Sequence, residues 1–219
     1  ETIKVNNRPL FWEAHYFRLM ASMRIMRMEI PMKFTPEFLE AEIMDLIATK
    51  YSKGKSHRVK LSVYRVSGGY YTPDSNSIEY SISMSPLDNF LYKHTTENYE
   101  IDLFKNYQIS PNLLSTIKTN NKALNVIGSI YAKENNFNNC LLLNTNKHVI
   151  EALNGNIFLV KNNIIKTPPL LDGCMKGIIR GKLIEIINQS FNYELNEKSI
   201  STFELQKADE IFITNVISG

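Results

Sequence analysis

The hydrophobic period of this chain changes partway along it, and the change restricts the folds open to it. From Phe11 to Met28 the apolar residues Tyr16, Leu19, Met20, Met23 and Met26 recur at spacings of three and four, which predicts a helix with one buried face. A second helix is announced by Thr35 as N-cap, Pro36 at the first helical position and Glu37 in the first turn, with Phe38, Leu39, Ile43, Leu46 and Ile47 inward. It should end near Tyr51, before Gly54. Residues 58–66 then alternate, Val59, Leu61 and Val63 against Arg58, Lys60, Ser62 and Tyr64, so one face of a strand is buried. A Ser67-Gly68-Gly69 turn and the polar loop Pro73–Ser77 lead into a second alternating strand, Ile78, Tyr80, Ile82 and Met84. Two helices against an antiparallel sheet define a first domain over residues 1–85.

Residues 86–98 have little periodicity and read as a linker. Beyond it, residues 99–219 form a second, β-rich lobe. Tyr99–Leu103 reads as a short strand, and Thr119–Glu134 carries Ala123, Leu124, Ile127 and Tyr131 at helical spacing. Short apolar runs at Leu141–Leu143, Val149–Ile150, Ile157–Val160 and Ile164–Ile165 are separated by Asn-rich turns, as in a closed or strongly curved sheet. A helix opening at Lys176–Arg180 follows Pro168-Pro169, and strands at Tyr193–Lys198 and Ile211–Thr214 close the pattern. The fold class is α/β, of the α+β kind, in two lobes.

The 25 basic and 22 acidic side chains leave a net charge of only +3, which gives no warrant for nucleic acid or an anionic membrane as partner. Two cysteines are too few for a disulfide framework, and neither they nor His15, His57, His94 and His148 have metal-ligand spacing, so no metal is expected. No apolar stretch approaches the roughly 20 residues needed to span a bilayer. A cytoplasmic location is the default expectation.

Three local features ask for more than core packing. Lys118 follows an apolar residue, sits among small polar ones and stands at the expected entrance to a helix. A lysine desolvated in such a place loses its proton more easily and can form a Schiff base with an aldehyde, although most lone lysines are simply solvated. Glu151 follows Val149-Ile150 at a strand end, where most glutamates face water. Gly177-Ile178-Ile179 opens a helix whose backbone amides form an anion site, a common arrangement on its own. Arg65 is a fourth case: alternation puts it on the face of Leu61 and Val63, where a cation needs a partner, either a substrate carboxylate or an internal Asp or Glu.

The order of these features resembles that of the class IV aminotransferases. Ile117-Lys118-Thr119, then Glu151 to Val160, then Lys176-Gly177-Ile178-Ile179-Arg180 look like that family's successive signatures, His15-Tyr16-Phe17-Arg18-Leu19 resembles its N-terminal helix motif, and Ile213-Thr214-Asn215 its last core strand. The resemblance implies pyridoxal phosphate (PLP) enzymes of fold type IV, with a small N-terminal α/β sandwich, a larger C-terminal pseudo-barrel and the cofactor between them. It implies Lys118 as the Schiff-base lysine and proton carrier, and Glu151 as partner of the pyridine nitrogen. Arg18 and the amides of Ile178 and Ile179 would hold the phosphate, Asn156 would contact the cofactor, and Arg65 would take a substrate carboxylate. The family departs from this chain in two places. Ala152-Leu153-Asn154-Gly155 stands where small hydroxyl residues are frequent, and Ile179 where a threonine is frequent.

The reaction so implied is transfer of an amino group from an amino acid to a keto acid. A close rival is aminodeoxychorismate lyase, which releases 4-aminobenzoate and pyruvate; Ile213-Thr214-Asn215 and Ser67-Gly68-Gly69 look somewhat like that branch. A non-catalytic relative that keeps the fold is the third reading, and the presence of both Lys118 and Glu151 argues against it. By the same resemblance the protein is expected to be a homodimer acting on a small-molecule amino acid or aminodeoxychorismate.

Overall fold

The computed structural model describes residues 1–50, 55–93 and 98–219. The expected end of the second helix near Tyr51 and part of the expected linker lie outside the described residues. The chain divides into two compact units, Glu1–Lys93 with Val216–Ser218, and His94–Asn215 with Gly219.

In the first unit, helices α1 (Trp12–Ile25) and α2 (Pro36–Lys50) accompany a sheet of strands β1 (Thr2–Val5), β2 (Ser56–Arg65) and β3 (Ile78–Leu87) in the order β1-β2-β3, all antiparallel. The Thr35 hydroxyl accepts the Phe38 amide at 3.2 Å, the N-cap that the sequence announces. The methionine stripe of α1 is core: Leu19, Met20 and Met23 pack with Phe34, Leu39 and Leu61. β1 goes unannounced in the sequence because four residues are too few to show a period, yet Ile3 and Val5 are fully buried against Ile43 and Val59. β3 runs on to Leu87, so the segment expected to be linker from residue 86 begins inside a strand, held there by pairing with Ser56 and His57. Lys4, also buried, donates to the Ile217 carbonyl at 3.3 Å and lies 4.5 Å from the Tyr92 ring centroid. The Tyr92 hydroxyl donates to the Val216 carbonyl, and together the two side chains hold the end of the chain on this unit.

The second unit contains β4 (Ile101–Ile109), α3 (Leu113–Thr116), α4 (Ala123–Glu134), β5 (Asn139–Asn144), β6 (His148–Ala152), β7 (Asn156–Lys161), β8 (Ile164–Thr167), α5 (Ile178–Asn188), β9 (Glu194–Glu197), β10 (Ile200–Ser201), α6 (Thr202–Leu205) and β11 (Glu210–Thr214). Its strands form two four-stranded sheets, β10-β6-β5-β4 and β11-β7-β8-β9, in which only β4–β5 and β8–β9 are parallel. The unbroken apolar run at β5 has a simple cause. Leu141 and Leu143 pack with Val149, Ile157 and Ile200 on one face, while Cys140 and Leu142 pack with Phe104, Ala132 and Ile150 on the other. A strand buried on both faces has no polar alternation to show.

The helix expected from Thr119 starts later. Asn112 caps the short α3 by accepting the amides of Leu114 and Ser115, the backbone is extended at Ile117, and α4 begins only at Ala123 with Lys122 as its N-cap residue. Asn120 and Asn121 are weak helix formers, which accounts for the delay.

β6 and β7 are joined by a turn at Gly155, where an added Cβ would lie 2.5 Å from the Thr214 carbonyl oxygen of β11. Backbone cannot yield there as a side-chain tip would. Gly155→Ala is therefore expected to cost about 2 kcal/mol or more, read as a lower denaturant midpoint at unchanged m-value.

Candidate active site

Glu151 lies on β6 opposite Leu142 of β5 and is only 4% exposed. Its Oε2 accepts the Met175 amide at 2.7 Å, and among the described residues no other donor hydrogen-bonds to the carboxylate. Burial pushes the carboxyl above its ordinary range; the Met175 amide and the positive charges of Lys122 and, less strongly, Lys118 oppose that rise without cancelling it. A carboxylate in this state gains most from a cationic hydrogen-bond donor placed against it.

The Met175 amide is held in place by a strap, residues 168–177, that is pinned along its length. Arg180 donates to the Pro168 carbonyl at 2.8 Å and to Glu197 at 2.6 Å, and the Asn144 side chain donates to the Asp172 carbonyl at 3.0 Å. The chain then turns at Gly173 with φ +95°. The Asn156 side-chain amide donates to the Met175 carbonyl at 2.9 Å, and the Lys176 amide donates to the Thr116 carbonyl at 2.9 Å. Gly177 follows as N-cap of α5 without a side-chain cap, so the amides of Ile178 and Ile179 fall among the helix-start donors that no preceding carbonyl reaches. A Cβ on Gly177 would sit 1.9 Å from Asn156 Oδ1, so any other residue there would have to displace the Asn156 side chain.

Two residues of this region were not legible as site residues in the sequence. Thr214 pairs directly with Asn156 across β11 and β7, which puts both side chains on one face, and its Oγ1 is buried with no hydrogen-bond partner among the described residues. This orphaned hydroxyl lies on the Asn156 face. Lys122 is the second. The sequence signal was present, a lysine at a helix entrance, but the expected entrance was four residues too early. The Asn125 side chain, one turn into α4, donates to the Leu153 carbonyl at 2.8 Å, which fixes the start of the helix to the chain just beyond Glu151.

Of the residues singled out in the sequence, Lys118, Glu151, Asn156, Ile178 and Ile179 belong to the second unit, and Arg18 and Arg65 to the first. Arg18 presents two nitrogens to the buried Glu1 carboxylate, Nε at 2.9 Å and Nη2 at 2.5 Å, while His15 Nδ1 lies 2.8 Å from the same group. Burial opposes the Glu1 charge, but the hydrogen bonds from His15 and Arg18 outweigh it and hold that carboxyl well below the usual range. Arg65 is half-buried, and its guanidinium donates to the Met26 carbonyl at 2.5 Å; among the described residues its partner is a carbonyl rather than a carboxylate. Cys140 and Cys174 are buried free thiols, and burial pushes Cys174 up to about 12, which leaves it unreactive near neutral pH. Among the described residues no group of three or more His, Cys, Asp or Glu could hold a metal ion, and no helix is long and apolar enough to cross a membrane.

A family model described as amino-transferase class IV matches residues 1–219, and the chain belongs to that family. Among its relatives, aminodeoxychorismate lyase of Vibrio harveyi is 25% identical over 221 aligned positions, covering 100% of this chain and 79% of the lyase. Branched-chain-amino-acid aminotransferase 1 of Arabidopsis thaliana is 38% identical over 90 residues, 40% of this chain, and that match spans only 23% of the plant protein. In three dimensions the chain resembles the PLP form of a branched-chain amino acid aminotransferase from Thermobaculum terrenum, with a TM-score of 0.86 and 22% identity, over 100% of this chain and 73% of that one.

Glu151→Gln removes a buried ionisable group whose neutral form the fold prefers. A raised folded value means that its stabilising contribution is complete at low pH and is lost as pH rises through that value. The cofactor-free Gln variant is therefore expected to melt a few degrees above the parent at pH 7, on the order of 1 kcal/mol, and to match it near pH 4. Thermal melts at the two pH values check this.

Proposed function

We propose that this chain is a PLP-dependent class IV enzyme whose primary activity is amino-group transfer from an amino acid to a keto acid. The observation that carries the reading is the buried Glu151, fixed by the Met175 amide and acted on by two lysines, in a chain matched end to end by the family model. The residues fit the group. Glu151 offers its carboxylate to a protonated ring nitrogen, which would relieve the cost of burying that charge. The amides of Ile178 and Ile179, at the positive end of α5, would meet the phosphate, with Gly177 packed closely on Asn156 before them. When bound, pyridoxal phosphate supplies an aldehyde for amine exchange and a ring that accepts electrons from the substrate carbon.

What the chain itself does is bind, orient and move a proton. Glu151 would keep the cofactor's ring nitrogen protonated. A lysine amine, from Lys118 or Lys122, would hold the cofactor aldehyde and serve as the base for the proton on the substrate carbon. Asn156, through Met175, keeps the amide that orients Glu151 in place. Arg18, whose fork is held by Glu1, is assigned to the phosphate, and Arg65 to a substrate carboxylate, on family resemblance alone. The same resemblance supports a homodimer, and the two free cysteines support a reducing, cytoplasmic location.

The lyase reading is the second one, favoured by the match to the Vibrio lyase over the whole of this chain. Titrating the purified chain with PLP is the deciding experiment. A yellow species that bleaches with an amino donor alone marks a transaminase. Pyruvate release from aminodeoxychorismate with the yellow species regenerated marks a lyase. No yellow species at any PLP concentration refutes both and leaves the non-catalytic relative. Gly177→Ala, which drives a Cβ into Asn156, is expected to weaken PLP binding by about tenfold or more, the scale of a lost charge-assisted hydrogen bond to phosphate; an unchanged dissociation constant would remove the α5 amides from the phosphate site.

A further inference from the structure

Helix α5 covers one face of the sheet β11-β7-β8-β9, and the side chains beneath it can be read from the core. Leu183 and Ile187 pack with Phe158 of β7, Ile165 of β8 and Phe212 of β11, and the Phe158 and Phe212 rings stack with centroids 5.0 Å apart. Ile211 and Ile213 turn the other way, into the cluster of Leu141, Val149 and Ile157. Alternation therefore gives Thr214 the same face as Phe212, two residues before it, just as Asn156 shares the face of Phe158. The register confirms the match, with Thr214 opposite Asn156 and Phe212 opposite Phe158. Asn156 in turn lies against Gly177, the N-cap of α5, where an added Cβ would come within 1.9 Å of its Oδ1. The start of α5 thus rests on Asn156, and Thr214 is the neighbour of Asn156 across the strands.

Thr214 is 5% exposed, and its Oγ1 is buried without a hydrogen-bond partner among the described residues. Thr167 of β8 shows how the same interior satisfies a hydroxyl: it donates to the Ile157 carbonyl at 2.8 Å. Thr214 has little freedom to do likewise. Gly155 approaches its carbonyl oxygen so closely that an added Cβ would lie 2.5 Å away, which fixes the backbone, and a β-branched side chain has few rotamers to search. Its neighbour Asn156 turns its amide to the Met175 carbonyl at 2.9 Å and its Oδ1 to Gly177. A buried hydroxyl in this state is costly until an acceptor is bound beside it. The acceptor that fits is an anion, because the α5 amides that no preceding carbonyl reaches are gathered at the same end of this face. We infer that the Thr214 hydroxyl is a third donor to the cofactor phosphate, beside the amides of Ile178 and Ile179. This rests on the PLP reading above. Donors from a helix and from a strand then act on one anion, which holds it more firmly than either element alone.

The test compares PLP with pyridoxal, which has the same ring and aldehyde but no phosphate, by absorbance titration of the whole chain. Thr214→Val keeps the shape of the side chain and removes the donor. It is expected to raise the dissociation constant for PLP by about tenfold, the scale of one hydrogen bond to a charged acceptor, and to leave that for pyridoxal within about twofold of the parent value. Thr214→Ser, which keeps the hydroxyl, is expected to bind PLP within about threefold of the parent. Without ligand, the Val variant is expected to melt at or above the parent temperature, since it lacks the unsatisfied polar atom. Equal affinity of parent and Val variant for PLP overturns the inference and leaves the PLP reading standing. An equal loss for PLP and pyridoxal, or a Val variant that melts well below the parent, does the same, because either marks the hydroxyl as structural. A parent chain that binds no PLP overturns both.

Discussion

A carboxylate buried in a sheet is the constraint around which the second unit is organised. Glu151 gains from burial nothing that an apolar residue would not give better, and it is costly to keep ionised there. Its presence therefore has to be matched by fixed donors and nearby positive charge. The Met175 amide is the fixed donor, the two lysines are the charge, and a ring cation would complete the set. Remove the expectation of such a cation and the residue becomes a liability in an otherwise apolar wall of Cys140, Leu142, Ile150 and Cys174.

The strap after β8 shows how the fold meets that demand without a side-chain cation in hydrogen-bond contact. Arg180, Asn144 and Asn156 each take a strap carbonyl, at Pro168, Asp172 and Met175 respectively. With the carbonyls occupied, the amides that remain face inward at Met175 and at the start of α5. The same segment thereby serves a carboxylate at one point and presents anion-binding amides a few residues on, with Gly177 between them packed directly on the Asn156 side chain.

Much of this was readable in the sequence, and the unreadable parts have physical reasons. α1, α2 and the alternating strands β2 and β3 were legible because each exposes one face and buries the other, so the burial pattern is written into the residue order. Glu151 could be picked out because a carboxylate directly after Val149-Ile150 breaks an apolar run. The start of α4 was not legible, since Thr119-Asn120-Asn121 is equally compatible with a loop or a weak first turn. Thr214 was not legible as anything but a strand residue; only the sheet register sets its hydroxyl beside Asn156 without a partner. The departures at Ala152-Leu153-Asn154-Gly155 look different in three dimensions. Leu153 and Asn154 there serve as attachment points, one for Asn125 and the other for Asn139.

The bond between the Lys176 amide and the Thr116 carbonyl joins positions far apart in the chain, and so do those from Met175 to Glu151 and from Asn125 to Leu153. Closing such loops costs entropy before any contact rewards it. The lysine segment and the anion-binding turn are thus tied to each other and to β6 by contacts of long sequence separation. Until residues 175 and 176 have been synthesised, the Glu151 carboxylate and the Thr116 carbonyl lack the amide donors that hold them in the folded chain.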